Sequence, residues 1–231
     1  MKKLFVLLIM QLISYSAWSQ TMNIHYKNGQ TVEYNMDNID YVEFTEKKQD
    51  NTQVSSEKAV DLGLSVKWAS YNVGATSPEQ YGNKYAWGET TTKDKYKEDN
   101  YLYYDANSES YVDIGIDIAN TNYDVAHVKW GDNWRMPTWN ELKELRDKCK
   151  WEWTNVNGVN GWKVIGTNGN SIFFPTGKNE IYLWASDMSI KEMGGKYGHA
   201  YCLFFNNGSV SKSGHLMVRY AGNYVRPVMP R

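Results

Sequence analysis

The chain has 231 residues and a formal net charge of -1, with 25 lysines and arginines against 26 aspartates and glutamates. Binding to nucleic acid needs clustered cationic residues, so this balance excludes nucleic acid as the partner. The 18 tyrosines and 10 tryptophans suit a strand-rich core or an aromatic binding surface.

Residues 1–19 have the pattern of a secretion signal. Lys2 and Lys3 precede an apolar stretch at residues 4–13, and the small residues Ala17 and Ser19 mark a cleavage site after Ser19. This stretch is too short to span a membrane, and no later segment approaches the roughly 18 to 20 apolar residues that a span requires. We therefore expect an exported protein without a membrane span, located in the periplasm, at the cell surface or outside the cell.

Residues 20–45 predict a small N-terminal β-hairpin segment. Residues 22–26 and 31–34 flank Lys27-Asn28-Gly29-Gln30, and Asn-Gly between two alternating segments is a strong hairpin signal. Residues 41–44 could add a third strand. Residues 46–58 are polar and read as a linker, so the hairpin is predicted to be an appendage of a globular unit at residues 59–231.

Within residues 59–231 the pattern predicts short strands, glycine and asparagine turns, and few helices. Residues 124–130 form one predicted helix, and a second starts at a capping box in which Thr138 and Glu141 satisfy each other's backbone donors. One side of this second helix is apolar, through Trp139, Leu142, Leu145 and Cys149. The predicted strands are residues 60–69, 85–87, 162–165, 171–174, 182–185, 200–205 and 224–228.

Several motifs in this unit resemble, in order, those of the Fibrobacter succinogenes major paralogous domain, a module of secreted and surface proteins. They include Tyr85-Ala86-Trp87-Gly88-Glu89 and Trp134-Arg135-Met136-Pro137-Thr138, together with residues 60–69, 72–75, 78–79, 157–158, 168–175 and 225–228. The Arg-Met-Pro-Thr segment and the closing strand are also similar to the formylglycine-generating, sulfatase-modifying proteins. Residues 183–187 depart from the family, which more often has a Tyr-Trp-Ser-Ser type of segment there.

Both resemblances imply a C-type-lectin-like α+β fold, with two helices around short, irregular antiparallel strands and with the chain ends paired. The aromatic and basic residues of the motifs are expected in the core, as structural residues: Trp68, Trp87, Trp130, Trp134, Arg135 and Arg226.

Two cysteines, Cys149 and Cys202, leave two interpretations open. In an oxidising compartment they favour a disulfide bond, whereas free cysteine is also among the most buried residue types. A formylglycine-generating activity would instead need a nearby thiol pair that holds copper, but these residues lie about fifty positions apart without an active-site motif around either.

Other catalytic and metal-binding patterns are missing from the sequence. A calcium-dependent sugar site lacks its Glu-Pro-Asn or Gln-Pro-Asp element. The four histidines, His25, His127, His199 and His215, lack the paired spacing of a zinc site, and no nucleophile motif is present. We therefore predict no catalytic residue, no metal and no cofactor.

Four tyrosines are the predicted ligand contacts: Tyr101, Tyr103, Tyr104 and Tyr111. They lie in a polar, loop-like segment without a packing period, and aromatic residues on loops are typical of binding surfaces. The sequence thus predicts a secreted or surface-exposed, non-enzymatic module whose loops contact carbohydrate or protein at the cell surface. Two alternatives remain, an oxidase or hydrolase on the same scaffold and a structural subunit of a surface assembly.

Overall fold

The computed structural model describes residues 21–25, 31–38, 59–131, 133–189 and 198–231. The chain divides into two compact units, Met1–Lys48 and Gln49–Arg231. The predicted secretion signal, Asn-Gly turn, third strand at residues 41–44 and linker all lie outside the described residues. No helix of the described ranges is long and apolar enough to cross a membrane.

The first unit contains the two predicted hairpin strands. Strand β1 (Thr21–His25) pairs with β2 (Thr31–Asn35) in antiparallel register, with Ile24 opposite Val32. A 3-10 turn at Met36–Asn38 follows.

The second unit is α+β, with short antiparallel strands in several small sheets. The elements in chain order are β3 (Ala59–Asp61), β4 (Lys67–Ala69), β5 (Tyr104–Asp105), β6 (Ser110–Tyr111), α1 (Val125–Trp130), α2 (Trp139–Lys148), β7 (Lys150–Val156), β8 (Val159–Ile165), β9 (Ser171–Pro175), β10 (Ile181–Met188), β11 (His199–Phe205), β12 (His215–Val218) and β13 (Val228–Met229). Strand β4 is the centre of one three-stranded sheet, between β3 and β13, and the others are β7-β8-β9, β10-β11-β12 and the pair β5-β6.

Residues 60–69 form a hairpin rather than the single strand that their apolar pattern predicts. Gly63 interrupts the segment at φ +74°, a conformation that side chains rarely adopt, and its N–H donates to the Asp61 carboxylate at 2.8 Å. A Cβ at this glycine would lie 2.2 Å from the Thr167 hydroxyl oxygen. Two further predicted strands are shorter than expected. Tyr85 makes one isolated bridge to Asn223, and residues 224–228 contribute an isolated bridge from Tyr224 to Leu183 and the first residue of β13.

Both predicted helices are confirmed. The Asp124 carboxylate caps α1 by accepting from the backbone N–H groups of residues 126 and 127. Helix α2 begins with the complete capping box, and its Leu142 and Leu145 side chains have no exposed surface. The box also receives a forked ion pair, because the Arg135 guanidinium donates to both Glu141 carboxylate oxygens at 2.8 and 2.5 Å.

The strands β10 and β11 separate two hydrophobic clusters. Successive side chains of a strand point to opposite faces, so Leu183 and Leu203 join one cluster with α2, while Trp184 and Cys202 join the other with α1. Of the residues expected in the core, Trp68, Trp87, Trp134 and Arg226 are buried. Arg135 and Trp130 are only half-buried, and Trp130 borders a surface cleft.

Arg226 is held inside by neutral acceptors. Its guanidinium donates to the Asn72 side-chain oxygen at 2.7 Å and to the backbone oxygens of Ala69 and Phe173 at 3.0 and 2.9 Å. These three bonds join the β4 region, β9 and the segment before β13, which supports the structural role expected for this residue.

Candidate functional site

The predicted tyrosine contacts form a packed cluster instead of a row of free loop side chains. A 3-10 turn at Glu98–Asn100 leads into β5, and β5 pairs with β6 so that Tyr104 lies opposite Tyr111. The ring of Tyr101 lies 5.6 Å from that of Tyr103 and 6.0 Å from that of Tyr111. Edge contacts at 5.3 Å add Tyr104 to Tyr111 and Tyr123 to Tyr103.

Tyr101 is a core residue, which corrects the prediction that it contacts a ligand. Its side chain is only 4 % exposed, and its hydroxyl donates to the Trp87 carbonyl at 2.6 Å. The same hydroxyl accepts from the Arg219 Nε at 3.0 Å, and burial raises the pKa of this phenol above its usual value. Both the ring and the hydroxyl of Tyr101 are therefore used within the protein.

The buried Arg219 contacts the tyrosine segment from the interior of the protein, although no sequence motif marks this residue. The guanidinium carbon lies 4.9 Å from the centre of the Trp87 ring and 5.4 and 5.5 Å from those of Tyr101 and Tyr111. Its NH1 group also donates to the Val112 carbonyl at 3.1 Å. A buried cation thus fixes the positions of β6 and of the segment before β5.

A buried ion pair fixes the other end of this segment. One Glu89 oxygen, Oε1, accepts from the Lys93 ammonium at 2.6 Å and from the backbone N–H of Leu102 at 2.8 Å. The Lys93 ammonium also donates to the Asn100 carbonyl. Glu89 is 1 % exposed, and its second oxygen has no hydrogen-bond partner among the described residues.

The segment held by Arg219 and by the Glu89–Lys93 ion pair carries exposed apolar and half-buried aromatic side chains. Leu102 is 65 % exposed and Val112 is 45 % exposed, while Tyr103, Tyr104 and Tyr111 are half-buried. The Val112 N–H donates to the Tyr103 carbonyl at 2.9 Å, which brings the two ends of the segment side by side. We call these five residues the tyrosine surface.

The segment that carries the tyrosine surface is acidic in sequence, although the whole chain is nearly neutral. From residue 98 to residue 128 there is no lysine or arginine, whereas the carboxylates are Glu98, Asp99, Asp105, Glu109, Asp113, Asp117 and Asp124. Four of these are exposed: Asp99, Glu109, Asp113 and Asp117. The sequence contains this asymmetry, and a count by segment instead of a total charge would have found it.

A second feature is a cleft of about 510 Å³, which the sequence analysis missed. We call it the threonine cleft; it is lined by Val73, Gly74, Ala75, Thr76, Asn83, Tyr85, Thr90, Thr91, Thr92, Lys129 and Trp130. The lining comes from segments that are far apart in the chain, so no local motif could reveal it. The close approach of its walls requires Gly74, at φ +84°, where a Cβ would lie 2.5 Å from the Asn83 side-chain nitrogen.

A third depression of about 380 Å³ lies against the exposed side of α2. Its carboxylates already have partners: Glu144 accepts from the Ser65 backbone N–H at 3.0 Å and from the Lys148 ammonium at 2.9 Å, while Glu141 and Asp147 pair with Arg135 and Arg146. These contacts explain the depression as an ordinary ion-paired helix surface.

The cysteines are free and buried, in different hydrophobic clusters. Cys149 follows α2 and joins the cluster that contains Leu142, whereas Cys202 joins the cluster on the other face of β11. The structure thus has the free-thiol arrangement and no bond between these residues. Burial raises the pKa of Cys149 to about 11 and that of Cys202 to about 12. Among the described residues, no group of three or more histidine, cysteine, aspartate or glutamate side chains could hold a metal ion.

Comparison with known proteins gives no match: no family model, no curated protein and no solved structure is significantly similar to this chain. The resemblance to the paralogous domain family therefore stays a prediction.

Proposed function

We propose that this protein is a secreted or surface-exposed, non-enzymatic binding module that contacts a protein partner through the tyrosine surface. The observation that carries the proposal is the exposure of Leu102 and Val112 beside three half-buried tyrosines, on a segment that buried residues hold in place.

Rigid aromatic anchors are well suited to binding. Tyrosine supplies a large contact area with only two side-chain torsions, so ordering it on binding costs little conformational entropy. Here the ring of Tyr104 packs against that of Tyr111, and Arg219 supports Tyr111 from the interior. The surface is therefore largely formed before a partner arrives.

The charge around the tyrosine surface defines the partner. Residues 98–128 carry the exposed carboxylates Asp99, Glu109 and Asp113 and no lysine or arginine, although the exposed Lys95 and Lys97 come directly before them. Complementary charge accelerates association and excludes like-charged partners. The partner is a lysine- or arginine-rich protein surface that also presents apolar side chains.

Family membership, the C-type-lectin-like fold and export belong to the same proposal. The two helices among short antiparallel strands support it, as does the sheet in which β13 and β3 flank β4. The capping box and the Arg135–Glu141 pair support a structural role for the Arg-Met-Pro-Thr motif.

Of the alternatives, a structural subunit has one specific observation in its favour. Strands β1 and β2 expose the large apolar side chains of Ile24, Val32 and Tyr34, and Met36 is exposed in the 3-10 turn that follows. Exposed apolar strands are a template for pairing with another chain. The oxidase alternative has less support, because Cys149 and Cys202 lie in different clusters.

The proposal can be tested with peptides displayed on phage and selected on the purified full chain. We expect the selected peptides to be rich in lysine, arginine and apolar residues, and to bind more weakly at high salt because added ions screen exposed charges. Leu102→Ser and Val112→Ser should each weaken binding about tenfold, which is the effect of truncating an interface anchor.

Val128→Ser is the matched control, because Val128 is 46 % exposed and Val112 is 45 % exposed. Selected peptides that bind all three variants equally would show that the binding surface lies elsewhere.

A further inference from the structure

We propose that the threonine cleft is a binding site for a carboxylated oligosaccharide, such as a chain of uronic acid residues. This site is separate from the tyrosine surface and does not depend on the proposed protein partner. Its aromatic, polar and charged groups support the inference in turn.

The aromatic wall of the cleft is Trp130, the last residue of α1. Its indole is half-buried and makes edge contacts with Trp134 at 5.2 Å and with Tyr71 at 5.7 Å. Two neighbouring rings, at 90° and 69° to the indole, fix the orientation of this ring. Trp130 thus lines the cleft with a partly exposed indole, an apolar ring of the kind against which the C–H side of a sugar can stack.

The remaining polar groups match the hydroxyl groups of a sugar. Thr90, Thr91 and Thr92 contribute hydroxyls, and Asn83 contributes an amide. The Thr76 hydroxyl donates to the Gln80 side-chain oxygen at 3.1 Å and keeps its acceptor capacity. A hydroxyl or an amide can both donate and accept hydrogen bonds, as every sugar hydroxyl does. A cleft with these polar side chains is poorly suited to an apolar ligand, because burying the three hydroxyls and the amide without partners costs free energy.

Lys129 sets the charge of the ligand. It is the cation of the lining, which contains no carboxylate, and it makes no ion pair among the described residues. An ammonium group in an otherwise neutral cleft favours a ligand that carries a carboxylate.

The floor of the cleft is held by backbone hydrogen bonds. The Asn83 N–H donates to the Val73 carbonyl at 2.9 Å, and Tyr85 and Asn223 exchange two bonds at 2.9 and 3.1 Å. A preformed site loses less entropy on binding. The volume of about 510 Å³ lies within the usual range of small-ligand sites and accommodates two or three sugar units.

The test is calorimetric titration of the full chain with trigalacturonate and with its fully methyl-esterified, neutral counterpart, at low salt. We expect the acidic trimer to bind about fivefold more tightly than the neutral one, as an exposed ion pair allows. Lys129→Gln should remove this preference while leaving the affinity for the neutral trimer unchanged. Asn83→Ala and Thr91→Ala should weaken binding of both trimers.

Lys143→Gln and Asn140→Ala are the matched controls, because both residues are exposed on α2, in the depression at that helix. All the substituted side chains are exposed, so circular dichroism should show unchanged folding. Failure of both trimers to bind at millimolar concentration would overturn the proposal, as would a preference for the acidic trimer that survives Lys129→Gln. Leu102→Ser should leave sugar binding intact, which separates this site from the tyrosine surface.

Discussion

The phenol of Tyr101 is stabilised in its neutral form by its place in the core. Its hydroxyl donates to the Trp87 carbonyl, and its ring faces the Arg219 guanidinium. Burial raises the pKa of Tyr101, and burial together with the hydrogen bond to the Glu98 carboxylate raises that of Tyr111, from a usual value of 10.0. The folded protein therefore binds these two protons more tightly than the unfolded chain does.

This difference predicts a loss of stability in alkali. Because the pKa is raised on folding, the stabilisation is complete below pH 10, where the unfolded phenols are still protonated, and it is lost as the pH rises towards the folded pKa. The free energy of unfolding should fall above pH 10, and the 295 nm absorbance should show some tyrosines ionising only as the chain unfolds. In Tyr101→Phe the pH dependence should be shallower. Ionisation of all 18 tyrosines near pH 10 in a folded chain would contradict this account.

The two buried thiols should be unreactive in the folded protein. Burial keeps Cys149 and Cys202 protonated, and the thiolate is the reactive form. At pH 8 the native chain should react with neither Ellman's reagent nor iodoacetamide. In guanidinium chloride without reductant, two thiols per chain should react. Detection of no thiol after denaturation would instead reveal a disulfide bond.

Among the elements, the start of α2 concentrates several interactions on Glu141. Its carboxylate accepts from the Thr138 N–H at 2.8 Å and from both terminal nitrogens of Arg135. Thr138→Ala removes one side of the capping box and should lower the free energy of unfolding by about 1 kcal/mol. Glu141→Ala should cost more, about 2 kcal/mol, because it also leaves a half-buried guanidinium without its partner.

Urea denaturation of the two variants measures these costs. Asn140→Ala, at an exposed position of the first turn, is the control and should change the stability by less than about 0.5 kcal/mol. If Thr138→Ala and Glu141→Ala had equal effects, the ion pair with Arg135 would contribute nothing to stability.

Trp134 directly precedes the Arg-Met-Pro-Thr motif, and its substitution tests how much its buried ring contributes to stability. Its side chain is 1 % exposed and contacts the edge of Trp130 at 5.2 Å. Trp134→Ala should lower the free energy of unfolding by roughly 3 to 5 kcal/mol, since it removes a large buried ring and leaves a cavity. Trp134→Phe fills part of that volume and should retain much of the stability. Denaturation midpoints of Trp134→Ala equal to those of the parent chain would contradict the burial.

Local signals explain which elements were predictable. The capping box and the hairpin strands were found because their sequence patterns act over four to fifteen residues. Strand β7 was not predicted, because charged and polar residues such as Lys150, Glu152 and Asn155 obscure its alternation. The sequence predicts one strand where the hairpin β3–β4 lies, since the apolar residues around Gly63 continue across the turn.

The candidate sites also combine features that local sequence patterns predict with features that only long-range packing creates. The position of the tyrosine segment was predictable, but the burial of Tyr101 depends on Arg219, which is 118 residues away in sequence. The threonine cleft joins loops near residues 73 and 83 to the end of α1, so its geometry exists only after folding. Long-range packing therefore determines the burial of Tyr101 and the shape of the cleft, which composition and local patterns do not predict.

The division into two units predicts independent folding of the larger one. A chain that begins at Val54 should unfold in one cooperative transition, with the midpoint of the full chain, because residues 59–231 hold both hydrophobic clusters of the second unit. Limited proteolysis should cut between residues 46 and 58 and leave a resistant core. A noncooperative transition of the shortened chain would show that the larger unit needs the hairpin segment.

The sheet β3-β4-β13 also sets how the larger unit responds to mechanical force. Strands β3 and β13 both run antiparallel to β4, with Ala59 opposite Ala69 and Met229 opposite Lys67. Tension applied at residues 59 and 229 therefore pulls the two outer strands in opposite directions along their length. Such shear loads the backbone hydrogen bonds on both sides of β4 together, whereas peeling a hairpin would break them one at a time. A module tethered at one end and pulled at the other would thus be loaded in shear and not by peeling.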